Sequence, residues 1–123
     1  MKLTLDARTD VNLIRSYAAG EVRIGAQVLH GNCIVAADAL ITDWGPRDSR
    51  ALSVEDLAPV FELKPELVLL GTGARQCFPA PQVRRAFAEL GIALETMDLG
   101  AACRTFNVLV QEARHVVAVL FVN

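Results

Sequence analysis

The segment from residue 97 to residue 122 constrains the fold most, because a one-sided helical pattern is followed by a strand with no polar residue. Apolar side chains at helical spacing form one stripe, made of Ala102, Phe106, Leu109, Val110 and Ala113. Residues 116–122 then read VVAVLFV. A helix with one apolar stripe covers a core, and a strand without alternation is typical of the middle of a covered sheet. The segment therefore predicts a helix packed on a buried sheet.

The first half of the chain is rich in short strands separated by turn residues. Alternating or short apolar runs predict strands at residues 14–18, 21–24, 27–30, 33–37 and 40–43. Glycines at positions 20, 25 and 31 mark the turns between them. Residues 44–50 read as a polar loop.

The second half alternates helices and strands. A helix is expected over residues 53–63, with Ser53 as its N-cap and Pro59 bending or shortening it. An apolar strand follows at residues 67–70, then a helix over residues 81–90, a strand over residues 92–96 and the last helix, capped by Asp98. This alternation predicts an α/β fold: three layers, a mixed, mostly parallel sheet of about five strands with helices on its faces, and an N-terminal β-hairpin layer.

Composition narrows the class of protein and its partners. The chain has 123 residues, no linker and no repeat, so residues 1–123 are expected to form one domain. Hydrophobic residues make up 53%, which leaves apolar surface for a partner protein or for a second copy in a homo-oligomer. A net charge of −2 without a basic run argues against nucleic acid. The apolar runs are too short to span a membrane, and the N-terminus lacks the pattern of a secretory signal, so a cytoplasmic location is expected.

The cysteines and histidines do not suggest a catalytic or metal site. Cys33, Cys77 and Cys103 are widely spaced, and His30 and His115 are far from each other in sequence. We therefore expect free thiols, no metal and no cofactor. A cationic side chain lies near Cys77 in the sequence, but neither histidine is close enough in the sequence to be identified as its base. No catalytic residue is therefore assigned.

A candidate ligand site follows from the predicted topology, because ligands of α/β sheets lie beyond the carboxyl ends of parallel strands. Two such ends lead into glycine-bearing segments. The candidate ligand-binding residues are Gly71, Thr72, Gly73, Arg75, Asp98, Arg104 and Asn107. The glycines match neither a complete dinucleotide fingerprint nor a P-loop, and a plain glycine turn is the alternative. A small anion is the ligand class that the arginines favour.

Asn107 lies in the middle of the last helix, where asparagine is a mediocre helix former. Its side chain has three interpretations: it faces water, it fastens the helix to a neighbouring loop, or it contacts a ligand or partner. We expect the second, since buried polar groups are normally paired.

The sequence also resembles a known family over nearly the whole chain, from the Tyr17 strand to the end, and most strongly from Leu67 onward. The segments that carry the resemblance are Gly71-Thr72-Gly73, a proline-initiated helix, a strand ending Glu95-Thr96-Met97-Asp98, and residues 101–109. They resemble a small α/β family of unknown function that includes mitochondrial respiratory complex I assembly factor 3 and a cytosolic adipogenesis-associated protein. The resemblance implies a three-layer fold, no established enzyme activity and, for the mitochondrial branch, a role in complex I assembly. This chain has Leu99 and Phe106 where the family has threonine and often tyrosine, so a polar site built on those hydroxyls would be incomplete.

Two functions from different classes remain open, and the few titratable candidates in a largely apolar sequence favour the first. The first is a non-enzymatic binding or assembly module, linked to maturation of a respiratory complex and recognising a protein partner. The second is a small-anion or metabolite binder, or an enzyme, using the cleft between the glycine loop and the last helix. Titratable groups converging on a pocket favour the second, whereas an apolar patch with a polar rim favours the first.

Overall fold

A computed structural model describes residues 11–122. Eight strands are present in this part of the chain: β1 (Ile14–Ala18), β2 (Glu21–Ile24), β3 (Gln27–Leu29), β4 (Cys33–Ala36), β5 (Ala39–Ile41), β6 (Leu67–Thr72), β7 (Ala93–Met97) and β8 (Val116–Phe121). The α-helices are α1 (Ala58–Glu62), α2 (Pro81–Leu90) and α3 (Leu99–Gln111), and 3₁₀ turns lie at Ser49–Ala51 and Glu55–Leu57.

Five strands form the main sheet in the order β5-β4-β8-β6-β7. The central strand β8 runs antiparallel to β4, with Ile34 opposite Val119, and parallel to β6, with Leu69 opposite Ala118. β5 pairs antiparallel with β4, and β7 pairs parallel with β6. The sheet is mixed as predicted, with parallel pairing among β8, β6 and β7 and antiparallel pairing among β5, β4 and β8.

The two faces of the main sheet bury separate cores because successive residues of β8 point to opposite sides. One core contains Ala118 and Leu120 with Phe106 of α3 and Val22 of the hairpin sheet. That second, antiparallel sheet has the order β1-β2-β3. The opposite core contains residues of β8 together with side chains from α1, α2 and the loop after β5, among them Val117, Val119, Val60, Phe87 and Trp44. The molecule therefore has the predicted layers.

The loop after β5 is tied to the sheet by polar and aromatic contacts. The buried Asn32 donates from Nδ2 to the Pro46 carbonyl at 2.8 Å and accepts at Oδ1 from the Val122 backbone at 3.0 Å. Trp44 is buried against Phe121, with ring centroids 5.8 Å apart, and its Nε1 donates to the Asp56 carbonyl. Trp44 therefore belongs to the core, although its position at the start of a polar segment suggested a loop only.

The expected helix over residues 53–63 is shorter and begins with a 3₁₀ turn. Pro59 lies in the first turn of α1, where its missing N–H costs no hydrogen bond. Ser53 still acts at the start of this region: its hydroxyl accepts from the Asp56 backbone, and Asp56 Oδ2 accepts from the Ser53 hydroxyl and backbone. Ala113, predicted to lie on the last helix, follows its end with a φ of 62°. Other elements agree with the expected bounds to within two residues.

The interpretation of the N-terminus as lacking a secretory signal rests mainly on residues 1–10, which lie outside the described residues. Between residues 11 and 122, none of the helices combines the length and apolar character needed to cross a membrane.

Close packing of β6 against α3 generates the first prediction. A methyl group on Gly71 would lie 2.9 Å from Ala102 Cβ and 3.2 Å from Leu120 Cδ2. Gly71→Ala should lower the free energy of unfolding by about 1–3 kcal/mol because it overpacks this contact. Urea unfolding measures the loss.

A double variant separates this contact from a general effect of the substitution. Ala102→Gly alone should cost about 1 kcal/mol of helix propensity. If the two side chains meet as described, the Gly71→Ala, Ala102→Gly protein loses less stability than the sum of the two single losses. Strict additivity would contradict the close approach.

Candidate functional site

The loop after β6 is held in shape by one buried hydroxyl. Thr72 donates to the Arg75 carbonyl and accepts from the Cys77 backbone at 2.9 Å. A side chain that satisfies two backbone groups of its own loop fixes the turn locally. Gln76 adds a bond from Nε2 to the Thr96 carbonyl of the neighbouring strand at 2.7 Å. The loop is therefore attached to both β6 and β7.

The glycine turn lies directly beside the start of α3. The Leu99 backbone donates to the Gly73 carbonyl at 2.7 Å. Asp98 is the N-cap of α3, as predicted, and its Oδ1 accepts from the Ala101 backbone at 2.8 Å. The ends of β6 and β7 thus come together, as the predicted topology requires.

A cleft of about 430 Å³ opens between β1 and the start of α3, and we call it the β1–α3 cleft. Its lining consists of Tyr17, Ala18, Ala19, Gly73, Ala74, Asp98, Leu99, Gly100, Arg104 and Val122. The Arg104 guanidinium donates to the Tyr17 hydroxyl. A methyl group on Gly100 would lie 2.8 Å from Cε1 of Tyr17, so the ring rests on the helix backbone. The surface is mostly small and apolar, with the tyrosine and arginine at one side.

Arg75 does not face this cleft. It lies on the other side of the loop, in a second depression of about 510 Å³ that we call the arginine cleft. This cleft is lined by Arg47, Asp48, Ser49, Arg50, Thr72, Arg75, Cys77 and Phe121. Thr72 and Phe121 are paired in register at the carboxyl ends of the parallel strands β6 and β8. The arginine cleft therefore also occupies a position where α/β sheets bind ligands.

One of the three arginines in the arginine cleft is paired with a carboxylate. Arg50 Nη2 lies 2.7 Å from Asp48 Oδ2, and Arg50 Nε donates to the same carboxylate. These hydrogen bonds lower the pKa of Asp48 to about 2 and raise the pKa of Arg50. The Asp48 carboxyl is consequently ionised at neutral pH and neutralises one of the three positive charges.

Asn107 fastens α3 to β1. Its Oδ1 accepts from the Ile14 backbone at 2.8 Å, and its Nδ2 donates to the Ile14 carbonyl at the same distance. Both ends of the amide are thus engaged with a backbone segment 93 residues away. This arrangement is the second of the three interpretations of Asn107, with an edge strand of the hairpin sheet in place of a loop.

The sequence-predicted site residues divide among four places. Gly73, Asp98 and Arg104 line the β1–α3 cleft, whereas Thr72 and Arg75 line the arginine cleft. Gly71 is packed against Ala102, and Asn107 is bound to Ile14.

Sequence analysis missed the lining residues that come from distant segments, Tyr17, Arg47 and Arg50. The arginines were visible as part of a polar loop, but only the pairing of β4 with β8 brings that loop to the end of β6. Leu99 and Phe106, which stand where the family has threonine and often tyrosine, are buried in the core between the main sheet and the layer formed by α3 and the hairpin sheet.

The three cysteines are free thiols in different environments. Burial raises the pKa of Cys33 to about 12, with a smaller contribution from neighbouring Cys103. Burial likewise raises the pKa of Cys103 to about 12. Cys77 is partly exposed and lines the arginine cleft. Among residues 11–122 there is no group of three or more histidine, cysteine or acidic side chains that could hold a metal ion.

This difference in burial predicts selective alkylation. Iodoacetamide at about pH 8 should modify Cys77 alone in the native protein, because reaction requires an accessible thiolate. All three thiols should react in denaturant. Peptide mass spectrometry measures the modified sites, and modification of Cys33 or Cys103 as fast as Cys77 under native conditions would contradict the described burial.

The role of Asn107 gives a stability prediction. Asn107→Ala should lower the free energy of unfolding by about 1–3 kcal/mol, because the Ile14 N–H and carbonyl lose their partner. A gain in helix propensity of about 0.5 kcal/mol offsets part of the loss.

Gln111→Ala is the matched control, since it removes an exposed amide from the same helix and should change stability by less than about 0.5 kcal/mol. Chemical denaturation compares the two variants with the wild type. An Asn107→Ala protein as stable as the control would show that the amide does not secure β1.

Residues 14–121 match a family described as "Protein of unknown function (DUF498/DUF598)". NADH dehydrogenase (ubiquinone) 1 alpha subcomplex assembly factor 3 of Danio rerio is 34% identical over 110 residues, which are 88% of this chain and 63% of that protein. This chain thus spans less than two thirds of that curated relative.

Solved structures agree with the described architecture. A Xanthomonas campestris protein, determined by NMR, is 33% identical with a TM-score of 0.84, covering 99% of this chain and 92% of its own. A crystal structure of a Bordetella parapertussis protein gives a TM-score of 0.86 at 28% identity, with coverage of 94% and 98%. The match along nearly all of the described chain, in sequence and in fold, means that this protein belongs to the DUF498/DUF598 family.

Proposed function

We propose that this protein is a non-enzymatic binding module that assists the assembly of a respiratory complex, with a subunit of an NADH dehydrogenase as its partner. The observation that carries the proposal is the 34% identity with an assembly factor of that enzyme over 88% of this chain. The part that the two proteins share is the domain described above. The aligned region is 63% of the relative, so the remainder of the relative has no counterpart in the alignment.

The β1–α3 cleft is the surface that we assign to the partner. Its lining is mostly apolar, and Tyr17 at its side is 41% exposed despite its large apolar ring. Tyrosine and arginine are enriched among the residues that contribute most to protein–protein binding, and here Tyr17 and Arg104 are already hydrogen-bonded to each other. Such prearrangement lowers the entropy lost when a partner segment binds.

The same cleft supports an enzyme less well. Catalysis needs titratable groups that converge on one position where a reacting atom can sit. The titratable side chains on this cleft are Tyr17, Asp98 and Arg104. Asp98 serves as the helix cap, and the other two bind each other.

The free thiols fit a reducing compartment, and we place the protein in the cytoplasm.

Two substitutions in equivalent turns test the assignment. Ala19 is exposed in the turn between β1 and β2 and lines the cleft, whereas Ala26 is exposed in the turn between β2 and β3 and does not. Ala19→Arg should weaken binding of the partner by about tenfold, because a bulky charged side chain covers the apolar surface. Ala26→Arg adds the same charge to the same sheet and should bind normally.

The measurement is complementation in cells that lack the gene. Deletion should reduce the amount of fully assembled NADH dehydrogenase on native gels, and wild type and Ala26→Arg should restore it while Ala19→Arg does not. Unchanged enzyme levels in the deletion strain would refute the assembly function. Equal rescue by both variants would instead show that the partner does not bind in this cleft. Co-purification of two differently tagged copies of the protein would identify a second copy as the occupant.

A further inference from the structure

The arginine cleft is built from two loops that follow β5 and β6, strands that are not adjacent in the main sheet, and both loops are fixed by buried polar side chains. Asn32 holds the first loop through its bond to the Pro46 carbonyl, one residue before Arg47. Thr72 holds the second loop through the Arg75 carbonyl and the Cys77 N–H. Both anchors are at least nine-tenths buried. The positions from which the arginines project are therefore set before any ligand arrives.

The charge of this cleft is not balanced by the protein. Arg50 is paired with Asp48, but neither Arg47 nor Arg75 forms a salt bridge with any residue in the described part of the chain. The cleft lining includes a single carboxylate, that of Asp48. Two positive charges consequently remain, in a chain whose net charge is −2. Like charges placed together oppose one another unless an anion joins them.

The geometry points to a binding site for a phosphate dianion, in a phosphate monoester or in inorganic phosphate, held between Arg47 and Arg75. A phosphate monoester carries about −1.5 to −2 charges at neutral pH and offers three acceptor oxygens, which matches two unpaired guanidinium groups. A single carboxylate would neutralise only one of them. Guanidinium forks bind phosphate oxygens through paired hydrogen bonds.

The location and volume of the cleft agree with this ligand. It lies beyond the paired carboxyl ends of β6 and β8, and its volume of about 510 Å³ accommodates a small organic phosphate. The site does not use the β1–α3 cleft and does not depend on the proposed assembly function. Cys77 lies within it and is the partly exposed thiol among three, so its alkylation reports occupancy.

Phenyl phosphate, inorganic phosphate and benzoate serve as probes in low-salt buffer, since exposed charges are screened at high salt. Isothermal titration measures affinity, and the rate of Cys77 alkylation by iodoacetamide measures protection. We expect both phosphates to bind and to slow alkylation, and benzoate to bind more weakly. Tighter binding of phenyl phosphate identifies an ester as the ligand, and equal binding identifies inorganic phosphate.

Three variants of similar size test the residues. Arg75→Gln should lower phosphate affinity by about tenfold, the scale of one lost charge-assisted interaction. Asp48→Asn keeps the oxygen that accepts from the Arg50 backbone and releases the Arg50 side chain, so affinity should rise by about threefold. Arg85→Gln removes an exposed arginine of α2 outside the cleft and should change nothing.

The increase expected for Asp48→Asn cannot arise from a damaged fold. The proposal is overturned if no phosphate protects Cys77, if benzoate binds as tightly as the phosphates, or if Arg85→Gln weakens binding as much as Arg75→Gln does.

Discussion

The complete burial of β8 is the constraint on which the rest of the structure depends. Each of its six residues is at most 2% exposed, and the strand pairs with β4 on one side and with β6 on the other. A strand that is apolar on both faces requires a covering layer on each. The hairpin sheet and α3 supply one layer, and α1, α2 and Trp44 supply the other. Both clefts lie where these layers meet the ends of the sheet.

Asparagine side chains join the segments that the core brings together. Asn12 donates to the Ala36 and Ala39 carbonyls beside the β4–β5 turn, Asn32 connects the β3–β4 turn to Val122, and Asn107 joins α3 to β1. Each amide hydrogen-bonds to backbone groups of a segment that is distant in sequence. The Asn107 bonds cross between layers, so they fix how the hairpin sheet sits on α3 in a way that apolar contacts alone do not.

The sequence predicted best the elements whose signals are local. The helix at Pro81–Leu90 has a proline at its start and a left-handed Gly91 at its end, and its predicted bounds agree with the structure. The Asp98 cap and the apolar β8 were equally clear. The bounds of the helix before β6 were predicted less well, because Pro59 and the preceding 3₁₀ turn divide one amphipathic pattern into two short pieces.

The candidate site was harder to predict because its parts are distant in sequence. The proximity of Gly73 and Asp98 could be predicted from the sequence, because the carboxyl ends of adjacent parallel strands meet at one edge of the sheet. Tyr17 could not, because its position over Gly100 depends on how the hairpin sheet packs on α3. Two 3₁₀ turns, α1 and the parallel strand β6 lie between Arg47 and Arg75 in sequence, and no local pattern records that both border Thr72.

The loop after β6 separates two surfaces of opposite character, and this arrangement follows from the sheet itself. At the end of β6 successive residues must face opposite layers, so Gly71 packs on α3 while Thr72 faces the arginine cleft. On the α3 side the helix approaches so closely that there is no room for a side chain at Gly71, and the neighbouring β1–α3 cleft is mostly apolar. The other side is bordered by an irregular loop instead of a helix, so long charged side chains fit there and keep their guanidinium groups in water. One strand end thereby borders two surfaces of different chemistry without placing a charge in either described core.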